Sequence, residues 1–138
     1  MYSKQEKVII WLGIFDCLSL KKQHQLIELY DDVTKLWDNF EKDKKLIINI
    51  VKDEAYNKML FALDDNFVNT YIKNCEDLGI KIVTCVSDAY PDLLKETVSP
   101  PIMLYCMGNL ELLKSPCLAI VGTRRCSRYG RDITYKFA

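Results

Sequence analysis

The 138-residue chain is 49% apolar and 28% charged, the balance of a globular protein rather than a disordered one. Its longest uncharged apolar run, Val8 to Phe15, is far short of the roughly 20 residues of a membrane helix. That run also lacks the small-residue cleavage pattern of a secretion signal, so the expected location is the cytoplasm, with no membrane partner. Formal charge is zero overall but polarised: residues 1–121 carry 14 Lys against 18 Asp plus Glu, net −4, while residues 122–138 carry four Arg and Lys136 against Asp132, net +4.

The first 75 or so residues read as helices on the 3.6-residue period. Val8, Trp11, Leu12 and Phe15 share one helical face, and Val33, Leu36, Trp37 and Phe40 repeat the spacing, with Asp32 placed as an N-cap. Between them Leu20, Leu26, Ile27, Leu29 and Tyr30 mark a shorter helix, and Ile47–Met59 and Phe67–Leu78 supply two more. These stripes are core faces of a small helical bundle and carry no visible chemistry. His24, within Lys21-Lys22-Gln23-His24-Gln25, reads as a solvated polar residue.

The pattern changes at Gly79, which follows the last helical residue in the position of a left-handed helix stop. Ile80–Cys85 then reads as a strand rich in β-branched residues. Turn chemistry at Ser87-Asp88-Ala89-Tyr90-Pro91 leads to a short Leu93-Leu94 segment. Ser99-Pro100-Pro101 holds the chain extended ahead of a second strand, Ile102–Cys106. Gly108-Asn109 and Ser115-Pro116 bracket a helical turn, and the uninterrupted apolar run Cys117–Val121 predicts a third, central strand. Ser127 is suited to cap a last helix carrying Tyr129, Ile133 and Phe137 on one stripe. A doubly wound sheet needs more βα units than this, so the second domain is expected to be incomplete at Ala138.

Six cysteines contain no Cys-x-x-Cys pair, and the single histidine is distant from all of them in sequence. Zinc sites are built from closely spaced ligand pairs, so neither a metal nor another cofactor is expected, and buried, reduced thiols are the simpler reading. No catalytic triad, paired carboxylates or metal cluster is visible.

All four arginines, Arg124, Arg125, Arg128 and Arg131, fall within eight residues at the turn between the predicted third strand and the last helix. Arginine presents a planar fork that matches phosphate geometry, and a helix N-terminus offers free N–H groups and a positive dipole end. Gly122 would admit a close backbone approach, and Thr123 and Ser127 would add hydroxyls. Arginine in a first helical turn opposes the dipole unless an anion completes the site. Neither the dinucleotide fingerprint nor the P-loop is present. On these residues alone, a phosphate or nucleic-acid site and a merely solvated turn both stand.

The order and spacing of Tyr90-Pro91-x-x-Leu94, Pro100-Pro101-x-x-Leu104, Gly108-Asn109, Ala119-Ile120-Val121-Gly122-Thr123-Arg124 and Ser127-x-Tyr129-Gly130 resemble the DNA-processing DprA family, also called Smf, over residues 76–138. The resemblance implies an α/β fold: a helical, SAM-like domain over 1–75 and the beginning of an extended Rossmann-like domain over 76–138. It implies a cytoplasmic protein, not an enzyme, that binds incoming single-stranded DNA during natural transformation and helps load RecA, displacing or working with single-strand-binding protein. Family members are homodimers, with the dimerisation and RecA surfaces expected beyond Ala138. The family's Gly-Ser/Thr-Arg loop carries onto Gly122, Thr123 and Arg124, with Arg124 the leading phosphate contact; Arg125, Ser127 and Arg128 follow by position. The glycine-containing turn of the family's first helices is replaced by Asp16-Cys17-Leu18-Ser19. Two other readings remain open: a nucleoside-monophosphate-cleaving enzyme on a related fold, and an inactive remnant.

Overall fold

A computed structural model describes residues 1–138 as an α/β protein of eight α-helices and one two-stranded sheet. The helices are α1 (Lys4–Gly13), α2 (Leu20–Ile27), α3 (Thr34–Asp38), α4 (Lys44–Val51), α5 (Asp53–Phe61), α6 (Asp65–Asp77), α7 (Asp92–Lys95) and α8 (Arg128–Phe137). Strands β1 (Lys81–Thr84) and β2 (Met103–Cys106) pair antiparallel, with Lys81 opposite Cys106 and Thr84 opposite Met103. A 3₁₀ turn at Leu110–Lys114 follows.

Helix α1 starts on a reciprocal cap. The Ser3 hydroxyl accepts from the Glu6 N–H at 3.2 Å, and the Glu6 carboxylate accepts from the Ser3 N–H at 2.8 Å. Its apolar residues are buried throughout, and Trp11 is the centre of the bundle. The indole meets Phe15, Trp37 and Phe40 edge-on at centroid distances of 5.8, 5.2 and 5.1 Å. Phe40 in turn stacks flat on Tyr56 at 4.8 Å. The indole N–H has no partner, so Trp11 holds the bundle by packing alone.

Two helix boundaries differ from the pattern. The third helix begins at Thr34, one residue later than expected, and Asp32 caps it from two residues upstream, accepting from the Thr34 N–H at 2.9 Å. Ile47–Met59 does not form one helix: it breaks at Lys52, whose backbone takes φ 74° and ψ 162°. Turning there lets Ile47 and Val51 of α4 and Ala55, Tyr56 and Met59 of α5 enter the same core, which a straight helix would not allow. Tertiary burial overrides a run that has no breaker residue.

Gly79 closes α6 as expected. At φ +72° it donates to Glu76 O at 2.9 Å while Ile80 N–H reaches back to Cys75 O at 2.9 Å, the double bond pattern of a glycine-terminated helix. The sheet then packs on the bundle rather than apart from it. Tyr2 places its hydroxyl on β1, donating to Ile82 O at 3.1 Å and accepting from Ile82 N–H at 3.0 Å. The Ser87 hydroxyl donates to Glu6 at 2.7 Å, and Gly13 leaves room for Met103 against the end of α1. One core runs from Val8 to Ile102.

The Pro100-Pro101 segment ahead of β2 is held from both sides. Buried Tyr90 donates its hydroxyl to Pro101 O at 2.6 Å, and His24 reaches Pro100 O at 2.8 Å through Nε2. His24 is therefore a half-buried link, not the solvated residue expected, and its Nε2 carries the proton that the carbonyl accepts.

The predicted third strand does not form. Residues 117–126 make no backbone–backbone hydrogen bond, and Leu118, Ile120 and Val121 are 66%, 47% and 91% exposed. A strand exists only through a hydrogen-bonded neighbour, and the sheet's two strands pair with each other alone. The stripe of α8 is likewise open, with Tyr129 and Phe137 exposed. The cysteines divide accordingly: Cys75 is buried and Cys85 and Cys106 half-buried, with burial pushing all three thiols above their ordinary range. Cys17, Cys117 and Cys126 are exposed, against the expectation of buried thiols, because two of them lie on the unpaired segment and one in a turn. No group of three or more His, Cys, Asp or Glu could hold a metal ion, and no helix is long and apolar enough to cross a membrane.

Candidate nucleic-acid interface

Residues 122–131 form an open turn leading into α8. The Thr123 hydroxyl donates to Arg125 O at 2.8 Å, which bends the chain back on itself within three residues. Ser127, in extended backbone at φ −66°, caps α8 by accepting from Gly130 N–H at 3.1 Å. A Cβ at position 130 would make only ordinary contact, 3.4 Å from the Ser127 oxygen, so the cap itself does not require glycine there. Arg131 N–H bonds Ser127 O, while the N–H groups of Arg128 and Tyr129 make no backbone bond and point out of the helix start.

Every residue singled out from the sequence is exposed: Gly122, Thr123, Arg124, Arg125, Ser127 and Arg128. The cap and turn bring Thr123, Arg125, Ser127 and Arg128 into one short stretch with the free N–H groups. Gly122 stands in open surroundings, where a Cβ would meet nothing within 4 Å, so no close approach within the chain itself requires glycine there. None of the four arginines is neutralised. The three ion pairs, Lys4–Asp38, Lys58–Glu54 and Lys95–Asp92, all use lysine. Four unpaired guanidinium groups within eight residues, beside a helix start, make a concentrated positive field that suits a polyanion.

Ahead of this turn the exposed Cys117 borders an open cleft between α7 and the 3₁₀ turn, with Leu93, Leu94, Leu112 and Leu113, a neighbourhood the sequence did not reveal. The clamp of His24 and Tyr90 on Pro100-Pro101 was also invisible, since His24 lies 76 residues from its partner.

Comparison with known proteins adds the family. A family model described as DNA recombination-mediator protein A matches residues 81–138. The chain is 30% identical over 95 residues to the DNA processing protein DprA of Streptococcus pneumoniae, covering 64% of this chain and 32% of that protein. It is 28% identical over 109 residues to the Protein Smf of Borreliella burgdorferi, covering 75% of this chain and 35% of that one. Against the DNA processing protein DprA of Bacillus subtilis the identity is 38% over 56 residues, or 40% of this chain and 19% of the relative. The chain thus spans about a third or less of the length of these relatives. No solved structure matches it.

Proposed function

We propose, because this chain belongs to the DprA/Smf family, that it acts in DNA processing as a single-stranded DNA-binding protein that helps load RecA onto incoming strands during natural transformation. It works by binding, not by turning over a substrate, and works beside single-strand-binding protein in the cytoplasm. Residues 1–75 are read as the SAM-like part and 76–138 as the start of the Rossmann-like part, which carries the DNA contact.

The observation that supports this most is the unpaired arginine turn at the start of α8, inside the family-matched stretch. Phosphates are the ligand it suits. Arg124 and Arg125 reach a backbone phosphate with bidentate forks, Arg128 adds charge from the first turn of α8, and the Thr123 and Ser127 hydroxyls with the Arg128 and Tyr129 N–H groups supply short-range donors. Gly122 leaves the strand free to pass close to the loop backbone. Contacts of this kind hold a strand without reading its sequence.

Arg124→Ala in the full-length protein is expected to weaken binding of labelled single-stranded oligonucleotides about tenfold, uniformly across base compositions. Unchanged affinity in that titration at moderate salt overturns the site assignment.

A further inference from the structure

The acidic surplus of the body sits in one place. From the start of α5 to the end of α6, residues 53–77 hold six carboxylates against Lys58 and Lys73, net −4, which is the whole excess of residues 1–121. The rest of that stretch balances twelve lysines with twelve carboxylates. The same two helices carry exposed rings. Phe61, the last residue of α5, is 90% exposed, and Phe67, in the first turn of α6, is 40% exposed. Phe67 borders two shallow depressions, one shared with Phe61 and Glu54, the other with Asp64 and Tyr71. Tyr71 in turn bonds the hydroxyl of the exposed Tyr105 on β2, so the aromatic face reaches the sheet.

Exposed rings edged by carboxylates suit arginine, whose guanidinium stacks flat on an aromatic face while its N–H groups fork onto a carboxylate. The sign of the field turns a polyanion away. Glu54 is engaged by Lys58 at 2.7 Å, but Asp53, Asp64 and Asp65 are exposed and make no ion pair. The chain carries the complement itself. Residues 122–138 are net +4 and hold all four arginines, and none of these reaches a carboxylate of its own chain. The two charges are equal and opposite, and both stay open within one molecule. At zero net charge, two copies meet without overall repulsion.

We propose that the Phe61–Phe67 face of one copy receives the arginine turn of a second copy, with the Arg124 and Arg125 guanidinium groups laid on the rings and forked onto Asp64 and Asp65. One face and one turn per copy allow the contact to be reciprocal, as in a two-fold pair. The face then competes with single-stranded DNA for the same arginines and keeps them out of use until a strand displaces it. That competition rests on the reading of the turn as the phosphate site; the contact between copies does not.

Sedimentation velocity of the full-length protein over a concentration series at low salt tests the contact. A step of self-association is expected that fades as salt rises. Phe61→Ala and Arg124→Ala should each weaken it about tenfold, and Asp64→Asn, which keeps the α6 cap, about threefold, all with unchanged melting temperatures. Excess oligothymidylate should abolish the step, and Phe61→Ala, with its arginines freed, should bind labelled oligothymidylate at least as tightly as the unsubstituted protein. Association that is absent, or that Phe61→Ala or Arg124→Ala leaves unchanged, overturns the contact. If Arg124→Ala still weakens oligonucleotide binding, the DNA reading survives that failure. Association that depends on Phe61 and Arg124 but persists under saturating oligonucleotide, or in a protein that binds none, keeps the contact and overturns the competition.

Discussion

All 25 buried residues lie at or before Ile102, whereas beyond Cys106 no side chain is buried, although that stretch holds Leu118, Ile120, Val121, Tyr129, Tyr135 and Phe137. The two regions are about equally apolar to the eye. They differ in whether each apolar face has another to meet. Trp11 has three aromatic neighbours and β1 has β2, while Cys117–Val121 has no strand beside it and α8 no surface against its stripe. Apolar pattern proposes an element, and burial against a partner is what makes it stable. The charge divides likewise: residues 1–121 are net −4 and hold all three ion pairs, while residues 122–138 are net +4 and leave their arginines unpaired.

This contrast breaks most visibly under truncation of large side chains. Trp11→Ala removes a fully buried indole and is expected to cost about 3–5 kcal/mol in denaturant unfolding. If Trp11→Ala were no worse than an exposed substitution, the aromatic cluster would not be the centre of the fold. A smaller effect is expected at the junction of bundle and sheet. Gly79→Ala forces a Cβ into the left-handed region at φ +72° and should lower stability by about 1–2 kcal/mol, read from the shift in melting midpoint.

Glu6 links α1 to the turn after β1, and its behaviour with pH sharpens the comparison further. Partial burial pushes its carboxyl up, but hydrogen bonds from the Ser3 N–H, the Ser87 hydroxyl and the Ser3 hydroxyl outweigh it and hold it below its ordinary 4.5. A depressed folded-state pKa means the unfolded chain binds the proton more readily. The stabilisation is therefore fully present above pH 4.5 and is lost as pH falls through the lower folded value. Glu6→Gln should cost about 1 kcal/mol at neutral pH and flatten the acid limb of the stability profile. An acid limb identical to that of the unsubstituted protein would rule this link out. The smallest effect belongs to the open region: Leu118→Ala, 66% exposed at its site, should change unfolding free energy by no more than about 0.5 kcal/mol. A loss of several kcal/mol would mean that Cys117–Val121 is packed after all.

Much of the body was legible because its cues are local. The stripe of Val8, Trp11 and Leu12, the stop at Gly79 and the cap at Ser127 each depend on residues a few positions apart, and each stands where expected. What escaped depends on partners distant in sequence. His24 meets Pro100 across 76 residues, Lys52 turns because two helices share a core, and Cys117–Val121 carries a strand's composition without a strand's neighbour. The candidate site was legible in residue type and spacing, since clustering of all four arginines is a property of the chain itself. Its lack of internal ion pairs was not, because that depends on where every acidic side chain comes to rest.

The central claim is that the arginine turn holds phosphates while the packed body stands without it. It is tested most directly by titrating a labelled single-stranded oligonucleotide into the full-length protein and its Arg124→Ala variant from low to moderate salt, with melting temperatures measured alongside. Steep weakening with salt in the unsubstituted protein, a log–log slope shallower by about 0.7–1 in Arg124→Ala, and equal melting temperatures are the predicted result. Equal affinity and equal salt slope in the two proteins would contradict it.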